Sequence, residues 1–371
     1  MDWKSIRKNY PIFNEYIYLD TASAAPLSIE TSKIAKNFYD EISAKGDIPW
    51  KNWLNRVEDV RCKVAGLINA SPEEICFTQS ASHGMNIIAD ILKGEVLTMD
   101  EEFPTSTLPF LNKGFKVRFI KSENHVYSIN DIANSISNNI RIIVSSHVQA
   151  STGFKQNLKN LGELCRNKKL AFVVDASQSI GAFSVDVKNS NIDFMVFSSY
   201  KWLAGSYSIG ILYINKIWLK NFTSPMAGWF SVKKPDLMNN KNLNLKKTAS
   251  ALEVGSPQFP NIFALGKSID NINSIGVKNI ENRILQLGEY LFERIKKNGL
   301  EIMLPFMHDF QSGIFIIKFS NYNKAIENLY KKKIIVSSKR TGIRVSLHFY
   351  NNKKDIDHLT QGLCYLERDS K

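Results

Sequence analysis

The sequence predicts an α/β protein with a large domain built on a seven-stranded, mostly parallel sheet, followed by a smaller α+β C-terminal domain. Three observations predict this class. Short apolar runs recur between residues 74 and 214, and helical stretches separate most of them, as βαβ units require. The runs Phe172–Val174 and Phe194–Phe197 are continuous rather than alternating, which indicates strands buried on both faces. These runs stop at Asp175 and Ser198, so polar groups are expected at the sheet edge where ligands bind.

The elements of the large domain follow in chain order. Residues 1–18 carry aromatic and basic side chains without a clear period and predict an N-terminal arm. Helices are expected over 30–69, where apolar residues between Trp50 and Leu67 recur at helical spacing. The short connection before the last strand favours an antiparallel direction for it. The predicted strands are 74–79, 95–100, 116–121, 140–148, 170–175, 193–198 and 208–214.

The rest of the chain predicts a linker and a second layer. Residues 215–255 are polar and rich in lysine and asparagine, which indicates a long excursion from the large domain. One helix is expected from 261 to about 297, and a C-terminal helix from Lys354 to Arg368. The expected division is an arm over 1–18, a large domain over 19–255, and a linking helix with a small domain over 256–371. The strands predicted for the small domain are 299–304, 313–319, 334–338 and 342–349.

Composition narrows the class of protein. The formal net charge is +13, and a basic surface of this kind can bind nucleic acid. The lysines, however, are scattered and form no DNA- or RNA-binding motif. A solvated, lysine-rich surface is therefore favoured. No apolar run reaches transmembrane length, and residues 1–10 lack the apolar core of a signal peptide, so a cytoplasmic protein is expected. The four cysteines, at 62, 76, 165 and 364, fit neither a disulfide framework nor a zinc site, and no metal is expected.

The residues after the two continuous strands form a specific pattern. Asp175 is followed by Gln178 in D-A-S-Q, and Ser198 is followed by Tyr200 and Lys201 in S-S-Y-K. This combination resembles the core of the class V aminotransferases, fold-type-I pyridoxal 5′-phosphate (PLP) enzymes. The group includes cysteine desulfurases, kynureninase and isopenicillin-N-epimerase-like proteins. The resemblance implies that fold and PLP as the cofactor, although Tyr200 stands where His is commonest in the family.

The resemblance also implies a role for each of these residues. Lys201 is expected to form the aldimine with PLP, which needs a neutral amine of the kind that burial favours. Asp175 is expected to pair with the pyridinium N1–H, so that the ring can accept an electron pair. Gln178 is expected near O3′, and Ser198 and Tyr200 at the phosphate. Without the resemblance, a buried lysine and aspartate would be interpreted as an ion pair.

Two further motifs resemble the family's cofactor contacts. The stretch from Phe77 to Asn86 resembles the phosphate loop and places Ala81 and Ser82 at the start of an amphipathic helix. On its own, an N-cap serine explains this stretch equally well. Phe103 holds the place of the aromatic residue, often His, that stacks on the pyridine ring. A phenyl ring can stack there but cannot exchange a proton.

The stretch from Ser145 to Gly153 departs from the family pattern at the O3′ contact. Ala150 occupies the position of an asparagine that lies near the cofactor's O3′. Gln178 or Gln149 is expected to take over that contact. His147 in the same stretch is interpreted as a structural histidine.

The last motifs concern a second subunit and the substrate. L-E-V-G-S-P resembles a segment whose Thr reaches the phosphate of the neighbouring subunit, and Ser256 keeps that hydroxyl, which implies a homodimer. G-I-R-V-S-L-H-F-Y-N resembles the family's G-x-R-x-S-x-H-x-Y-N, so Arg344 is expected to clamp the substrate α-carboxylate. The stretch from Tyr18 to Pro26 resembles the family's opening loop and makes Ala22 a candidate substrate contact.

The positions at which this sequence differs from the family pattern bear on the type of reaction. Cysteine desulfurases of the family use a loop cysteine shortly before the carboxylate-binding arginine, whereas residues 320–343 contain none. We expect an enzyme that acts on an amino acid by aminotransferase or C–S lyase type chemistry, with Lys201 removing the Cα proton. The alternatives are an epimerase, a desulfurase-like enzyme without the loop cysteine, and a non-catalytic PLP-binding protein. Substrate specificity is expected in loops 21–26, 226–232 and 337–341.

Overall fold

Strands occupy the apolar runs of the chain. The computed structural model describes residues 1–220, 223–340 and 342–368. All seven strands expected in the large domain are present, with ends within two residues of the predicted ones. The strands of this described part are β1 (Ile17–Tyr18), β2 (Ile75–Thr78), β3 (Glu95–Met99), β4 (Val117–Ile120), β5 (Ile140–Ser146), β6 (Ala171–Asp175), β7 (Phe194–Ser198), β8 (Gly210–Ile214), β9 (Glu301–Ile302), β10 (Ile314–Lys318), β11 (Ile334–Ile335), β12 (Ser337–Lys339) and β13 (Gly342–Ser346).

Polar residues begin several of the helices. Ser28, Ser80, Ser128 and Asn157 each precede a helix and accept a hydrogen bond from a backbone N–H of its first turn. The helices found in the described residues are α1 (Trp3–Lys8), α2 (Ile29–Lys45), α3 (Trp50–Leu67), α4 (Ala81–Ile91), α5 (Leu108–Asn112), α6 (Ile129–Ser135), α7 (Leu158–Lys168), α8 (Lys216–Leu219), α9 (Phe259–Ile275), α10 (Val277–Lys297), α11 (Tyr322–Lys331) and α12 (Lys353–Arg368). None of these helices is both long and apolar enough to cross a membrane.

The central sheet confirms the predicted fold class. Its strand order is β2-β8-β7-β6-β5-β3-β4. Strand β8 runs antiparallel to both of its neighbours, and the pairs from β7 to β4 are parallel, as the short connection before β8 predicted. Strands β6 and β7 are adjacent in the middle of the sheet, where every residue is buried. Their carboxyl ends therefore open onto one crevice.

One predicted helix is two helices. The stretch expected to run from 261 to about 297 is broken at Gly276, whose φ is 84°, between α9 and α10. That φ lies in the left-handed region, which glycine adopts without the clash of a Cβ atom. Helix α9 packs on α2 and α3, whereas α10 packs on α12 and β9. The glycine thus separates the helix of the large layer from the helix of the small one.

The small domain contains one strand more than predicted. The stretch expected as a single strand over 334–338 divides into β11, which pairs with β1 in parallel, and β12, which pairs with β13. Its antiparallel sheet has the order β12-β13-β10-β9, and α11 is a helix that the sequence pattern did not predict. The N-terminal residues lie against this domain, since Arg7 pairs with Asp355 at 2.6 Å.

Candidate active site

An amine and a carboxylate line one cleft at the carboxyl ends of β6 and β7. Asp175 is the last residue of β6, and Lys201 follows three residues after the end of β7. They are 4% and 8% exposed, and they border a cleft with about 490 Å³ of empty space. Although both residues are described, no ion pair within 4.0 Å joins them. The ion-pair interpretation of these two residues is therefore not what the structure shows.

Burial favours the neutral amine of Lys201. Desolvation lowers its pKa, and the positive charges of Arg344 and Lys339 lower it further, while Asp175 acts in the opposite direction. The Nζ atom lies 5.4 Å from the centre of the Phe103 ring, within cation–π distance. Phe103 borders the cleft and is 40% exposed, so it lies at the opening. The amine is thus enclosed between the sheet edge and a phenyl ring.

Asp175 is fixed from two sides. One carboxylate oxygen accepts a hydrogen bond from the backbone N–H of Ser177 at 2.9 Å. Its own backbone carbonyl accepts from the N–H of His147 at 2.9 Å. The Ser177 hydroxyl also borders the cleft, is buried, and has no hydrogen-bond partner among the described residues. An unpaired buried hydroxyl at this point is the mark of a site that takes a polar ligand.

Hydroxyl groups converge at the N-terminus of α4. The side chains of Ser82 and Thr105 lie 2.7 Å apart, and both border the cleft together with Ala81, Ser198 and Tyr200. The free backbone N–H groups of a helix start and its positive dipole end attract an anion. This end of the cleft therefore suits a phosphate. Thr105 was not assigned a role from the sequence, although it lies two residues after Phe103.

Of the two glutamines considered for the O3′ contact, Gln178 borders the cleft and Gln149 does not. The amide oxygen of Gln178 accepts from Trp202 Nε1 at 2.7 Å and its nitrogen donates to the Ala22 carbonyl at 3.0 Å. Gln149 is buried, and its side chain bonds to Glu102 instead. Ala150 borders the cleft without a polar group. Gln178 is therefore the glutamine positioned to meet a ligand.

Arg344 is held by groups that the sequence motifs did not single out. Its Nη2 donates to Asp20 Oδ1 at 3.2 Å and to the Ser23 hydroxyl, and its Nε donates to the Ser337 hydroxyl at 3.1 Å. Within the described part of the chain, Nη1 has no partner, so its two N–H groups can receive a carboxylate. Ala22 itself is 2% exposed and is not among the residues that border the cleft. Asp20 and Ser23 are the residues of that loop that contact Arg344.

Ser256 lies outside the cleft. It is exposed and borders a second groove with Thr78, Gln79 and His83, on the other side of the loop that precedes α4. Glu253 in the same segment packs against Arg61, with Nη1–Oε1 and Nη2–Oε2 distances of 2.6 and 2.9 Å. The Ser256 hydroxyl is thus available at the surface behind the helix start rather than in its own chain's cleft.

Two buried histidines support the floor of the cleft. Burial lowers the pKa of both His147 and His348 to about 3. In His147 the positive charge of Lys155 adds to this effect. His348 Nε2 donates to the Trp202 carbonyl at 2.8 Å, and Trp202 in turn holds Gln178. His147 is not among the residues that border the cleft. Neutral, buried histidines suit a structural role better than proton transfer.

The residues of the cleft fit PLP, the cofactor implied by the resemblance. The amine of Lys201 and the carboxylate of Asp175 border the same space and form no ion pair within 4.0 Å. The hydroxyls of Ser82 and Thr105 lie at the start of helix α4, and the Phe103 ring lies at the opening. The buried Ser177 hydroxyl has no hydrogen-bond partner among the described residues. Lys201 could hold the cofactor's carbonyl carbon, Asp175 its ring nitrogen, and Ser82 with Thr105 its phosphate. These donor types match the aldehyde, the basic nitrogen and the dianion of PLP.

Comparisons with known proteins agree with this geometry. The family model of the class V aminotransferases matches residues 17–359. The chain is 25% identical over 359 residues to the uncharacterised aminotransferase YcbU of Bacillus subtilis, covering 95% of each protein. It is 26% identical over 397 residues to a probable cysteine desulfurase of Methanothermobacter thermautotrophicus, covering 98% of each.

Solved structures show the same fold. A cysteine desulfurase from Thermococcus onnurineus superposes with a TM-score of 0.90 at 23% identity, over 99% of this chain and 98% of that one. The cystine C–S lyase C-DES superposes with a TM-score of 0.89 at 19% identity, over 96% and 99%. With the family model spanning nearly the whole chain, the protein belongs to the class V aminotransferase family and is a PLP-dependent enzyme of the aminotransferase/lyase type.

Proposed function

We propose that the enzyme acts on an amino acid through Lys201, by aminotransferase or C–S lyase type chemistry. The observation that carries this proposal is the placement of Lys201 and Asp175 on one cleft without an ion pair between them. PLP, when bound, supplies an electron sink for the electron pair left at the substrate Cα. The protein's part is to hold the reactants, exclude water and move protons.

Lys201 is the residue that we propose to hold the cofactor and to carry the Cα proton. Its lowered pKa favours the neutral amine, which is the form that can attack a carbonyl and accept a proton. Asp175, which is fixed at the end of β6 and borders the same cleft, is the residue that would pair with the ring nitrogen of the cofactor. Phe103 covers the opening and excludes water without competing for the proton, because a phenyl ring has none to exchange.

Arg344 is the proposed contact for the substrate α-carboxylate. Arg344 is 6% exposed. Asp20, Ser23 and Ser337 fix the orientation of its guanidinium before any substrate binds. Its two Nη1 N–H groups are the donors that remain for a ligand. Because the side chain is already fixed, it loses little conformational entropy when a ligand binds. Ala22, proposed from the sequence as a substrate contact, acts through its carbonyl on Gln178 instead.

The cysteines argue against a persulfide on the protein. Cys62 lies on α3, Cys76 in β2 and Cys165 on α7, and Cys364 lies on α12. None of the four is among the described residues that border the cleft. Several relatives are named cysteine desulfurases, but a mechanism that uses a protein thiol as sulfur acceptor has no residue here to perform it. Direct release of the sulfur-containing product, as in a C–S lyase, needs none.

A homodimer is the proposed assembly. The exposed Ser256 hydroxyl lies on a groove behind the start of α4, outside its own chain's cleft. A second copy facing this groove would receive the hydroxyl near its own phosphate-binding end, which is the arrangement that the resemblance implies. Light scattering of the purified protein tests the dimer. The cytoplasm is the proposed location, in keeping with the free, unpaired thiols of Cys62, Cys76 and Cys165.

A visible absorption spectrum followed by borohydride reduction tests the proposal. We expect a cofactor band that reduction removes, and a peptide map that places the reduced label on Lys201. An amino-acid panel then separates the two reaction types, since transamination consumes a keto acid whereas C–S lysis releases pyruvate and a sulfur product. A protein that shows no band after incubation with PLP would contradict the proposal.

A further inference from the structure

We propose that Lys339 binds a second anionic group of the substrate, so that the enzyme takes amino acids whose side chain ends in a carboxylate. This inference rests on the proposed function, because it assumes that Arg344 receives the α-carboxylate. It names the substrate class of the same cleft. Four observations carry it: the face of the hairpin, the fixed hairpin tip, the charge balance and the positions of the two cations.

The β12–β13 hairpin places Lys339 and Arg344 on one face. Ser337 is opposite Arg344 in the ladder, and the Arg344 Nε–Ser337 Oγ hydrogen bond shows that the two side chains share a face. Side chains two residues apart on a strand point the same way, so Lys339 stands on that face too. The residue opposite Lys339 is Gly342, which has no side chain to cover it.

The tip of the hairpin is fixed to the large domain beside the cleft. Arg340 has a left-handed φ of 55°, and its Nη2 contacts Glu101 Oε1 at 2.6 Å. Glu101 is two residues before Phe103. The Lys339 Nζ consequently lies 5.8 Å from the centre of the Phe103 ring, and Lys201 Nζ lies 5.4 Å from the same centre. Both ammonium groups therefore flank one ring at the opening of the cleft.

Lys339 is a cation of the hairpin that lacks an acidic partner. Arg340 has Glu101, and Arg344 has Asp20 at 3.2 Å. Within the described residues, no acidic side chain forms an ion pair with Lys339. Partial burial lowers the pKa of Lys339, and the positive charges of Arg344 and Arg340 lower it further. A half-buried lysine beside two arginines is stabilised by an anion that the protein itself does not supply.

The positions suit an amino acid whose side chain ends in a carboxylate. Lys339 and Ser337, the residue opposite Arg344, are two positions apart on β12, so their Cα atoms are about 6.6 Å apart. In the proposed binding mode, the α-carboxylate contacts Arg344 and the side-chain carboxylate contacts Lys339, which lies beside the Phe103 ring at the opening of the cleft. A charge-assisted contact of this kind adds selectivity over an uncharged side chain of equal length.

Paired probes test the inference on the holoenzyme. Isothermal calorimetry compares glutarate, which has two carboxylates, with butyrate, which has one. We expect wild type to bind glutarate more tightly and Lys339→Met to weaken glutarate binding by about tenfold while butyrate changes by less than about twofold, as loss of one charge-assisted contact implies. Lys339→Arg should retain the preference. Lys324→Met, which removes an exposed lysine of α11, should change neither ligand.

Kinetics supply a second readout on the same variants. The ratio of kcat/KM for L-glutamate to that for L-norvaline should fall in Lys339→Met, mainly through KM, and should be preserved in Lys339→Arg. Equal binding of glutarate and butyrate by wild type, or an unchanged preference in Lys339→Met, would overturn the inference. A drop in bound cofactor confined to Lys339→Met would overturn it as well, because Lys339 would then serve the cofactor phosphate.

The two proposals fail in distinguishable ways. A wild-type protein without the cofactor band at Lys201 contradicts the proposed function before any ligand is added. A normal band with no selectivity between glutarate and butyrate contradicts only the role of Lys339.

Discussion

The floor of the cleft and the hairpin above it are built on different physical principles. The floor consists of strand ends and helix starts of the central sheet, and its functional groups, Asp175 and Lys201, are nearly inaccessible to solvent. In the hairpin, every residue of β13 is buried, whereas β12 is partly exposed and Arg340 at its end is fixed by an ion pair with Glu101 across the domain boundary. The floor is thus held by burial, whereas the exposed edge of the hairpin is held in addition by charge. Variants of the two regions should therefore differ in kind as well as in size.

The largest effect is expected at the floor, in Lys201→Ala. Loss of the amine removes both the cofactor anchor and the proton carrier, so turnover should fall by at least about 10²–10⁴-fold. Lys155→Ala is the matched control, because Lys155 is also desolvated and lies 4.8 Å from the centre of the Phe183 ring, outside the cleft. Steady-state turnover measures both. Comparable losses in the two variants would mean that enclosure of a lysine, rather than its place in the cleft, explains the effect.

The next effect concerns a buried ion pair of the large domain, outside the cleft. Glu253 receives both Nη groups of Arg61 and the backbone N–H of Phe77 at 2.8 Å, and the Arg61 side chain is 4% exposed. Glu253→Ala removes the buried acidic partner of that cation, leaves it the exposed Glu58, and should lower the free energy of unfolding by about 3–5 kcal/mol. Urea denaturation measures the change.

A neighbouring pair provides the control. Glu58 bonds the same arginine from the surface, where its side chain is 63% exposed. Glu58→Ala should lower the free energy of unfolding by less than about 1 kcal/mol, because water replaces an exposed partner. A loss in Glu58→Ala as large as that in Glu253→Ala would show that burial does not set the strength of these contacts.

A pH effect of intermediate size is expected from the histidines beneath the floor. The pKa of His147 and of His348 falls from 6.5 in the unfolded chain to about 3 in the folded protein. Between those values the unfolded chain binds protons that the folded protein excludes, so stability is full above pH 6.5 and is lost as the pH falls. The loss should approach about 1.4 kcal/mol per pH unit for each histidine.

Urea denaturation at pH 7.5 and pH 5.5 tests the sign and the source of this effect. His147→Gln, which cannot be protonated, should reduce the difference between the two pH values. His308→Gln, at an exposed position, should leave the difference as in wild type. Greater stability at pH 5.5 than at pH 7.5 would contradict the assignment.

The smallest effect is expected at the hairpin tip, in Arg340→Ala. Its side chain is 35% exposed, so its contact with Glu101 should contribute less than about 1 kcal/mol to the free energy of unfolding. The variant should instead raise KM a few-fold, because the Arg340–Glu101 contact fixes the end of the strand that carries Lys339, the proposed substrate contact. Lys318→Ala removes an exposed pair with Glu301 in the same sheet and should leave KM unchanged. A large loss of stability in Arg340→Ala would show that the hairpin is held as the floor is.

The same distinction explains what could be predicted from the sequence. Asp175 and Lys201 follow continuous apolar runs, and such runs determine both the strand and the edge at which it ends. The fold class and the family follow from that pattern. The loop contacts do not, because Asp20 and Arg344 are 324 residues apart in the chain and no local period relates them. Lys339 is one lysine among many in the sequence, and only its place beside Phe103 distinguishes it.

The errors in the secondary structure have local causes. The helical period continues on both sides of Gly276, so the break between α9 and α10 follows from one φ angle and not from a change of pattern. The stretch over 334–338, Ile-Ile-Val-Ser-Ser, looks like one strand in sequence, but its first two residues pair with β1 and its last two with β13. A strand that changes partners midway looks continuous in sequence. Thr341, in the loop 337–341 expected to set specificity, lies outside the described residues.

The hydrogen bonds of Gln178 have a consequence for the ionisation of whatever binds beside it. Trp202 can only donate and the Ala22 carbonyl can only accept, so the amide cannot be reversed without losing both bonds. The remaining N–H of that amide makes the side chain a donor toward the cleft. A ligand oxygen that meets it is stabilised as a proton acceptor, and its deprotonated form is favoured over its protonated form. Trp202, the residue after Lys201, thus influences the protonation state of a bound ligand through its hydrogen bond to Gln178.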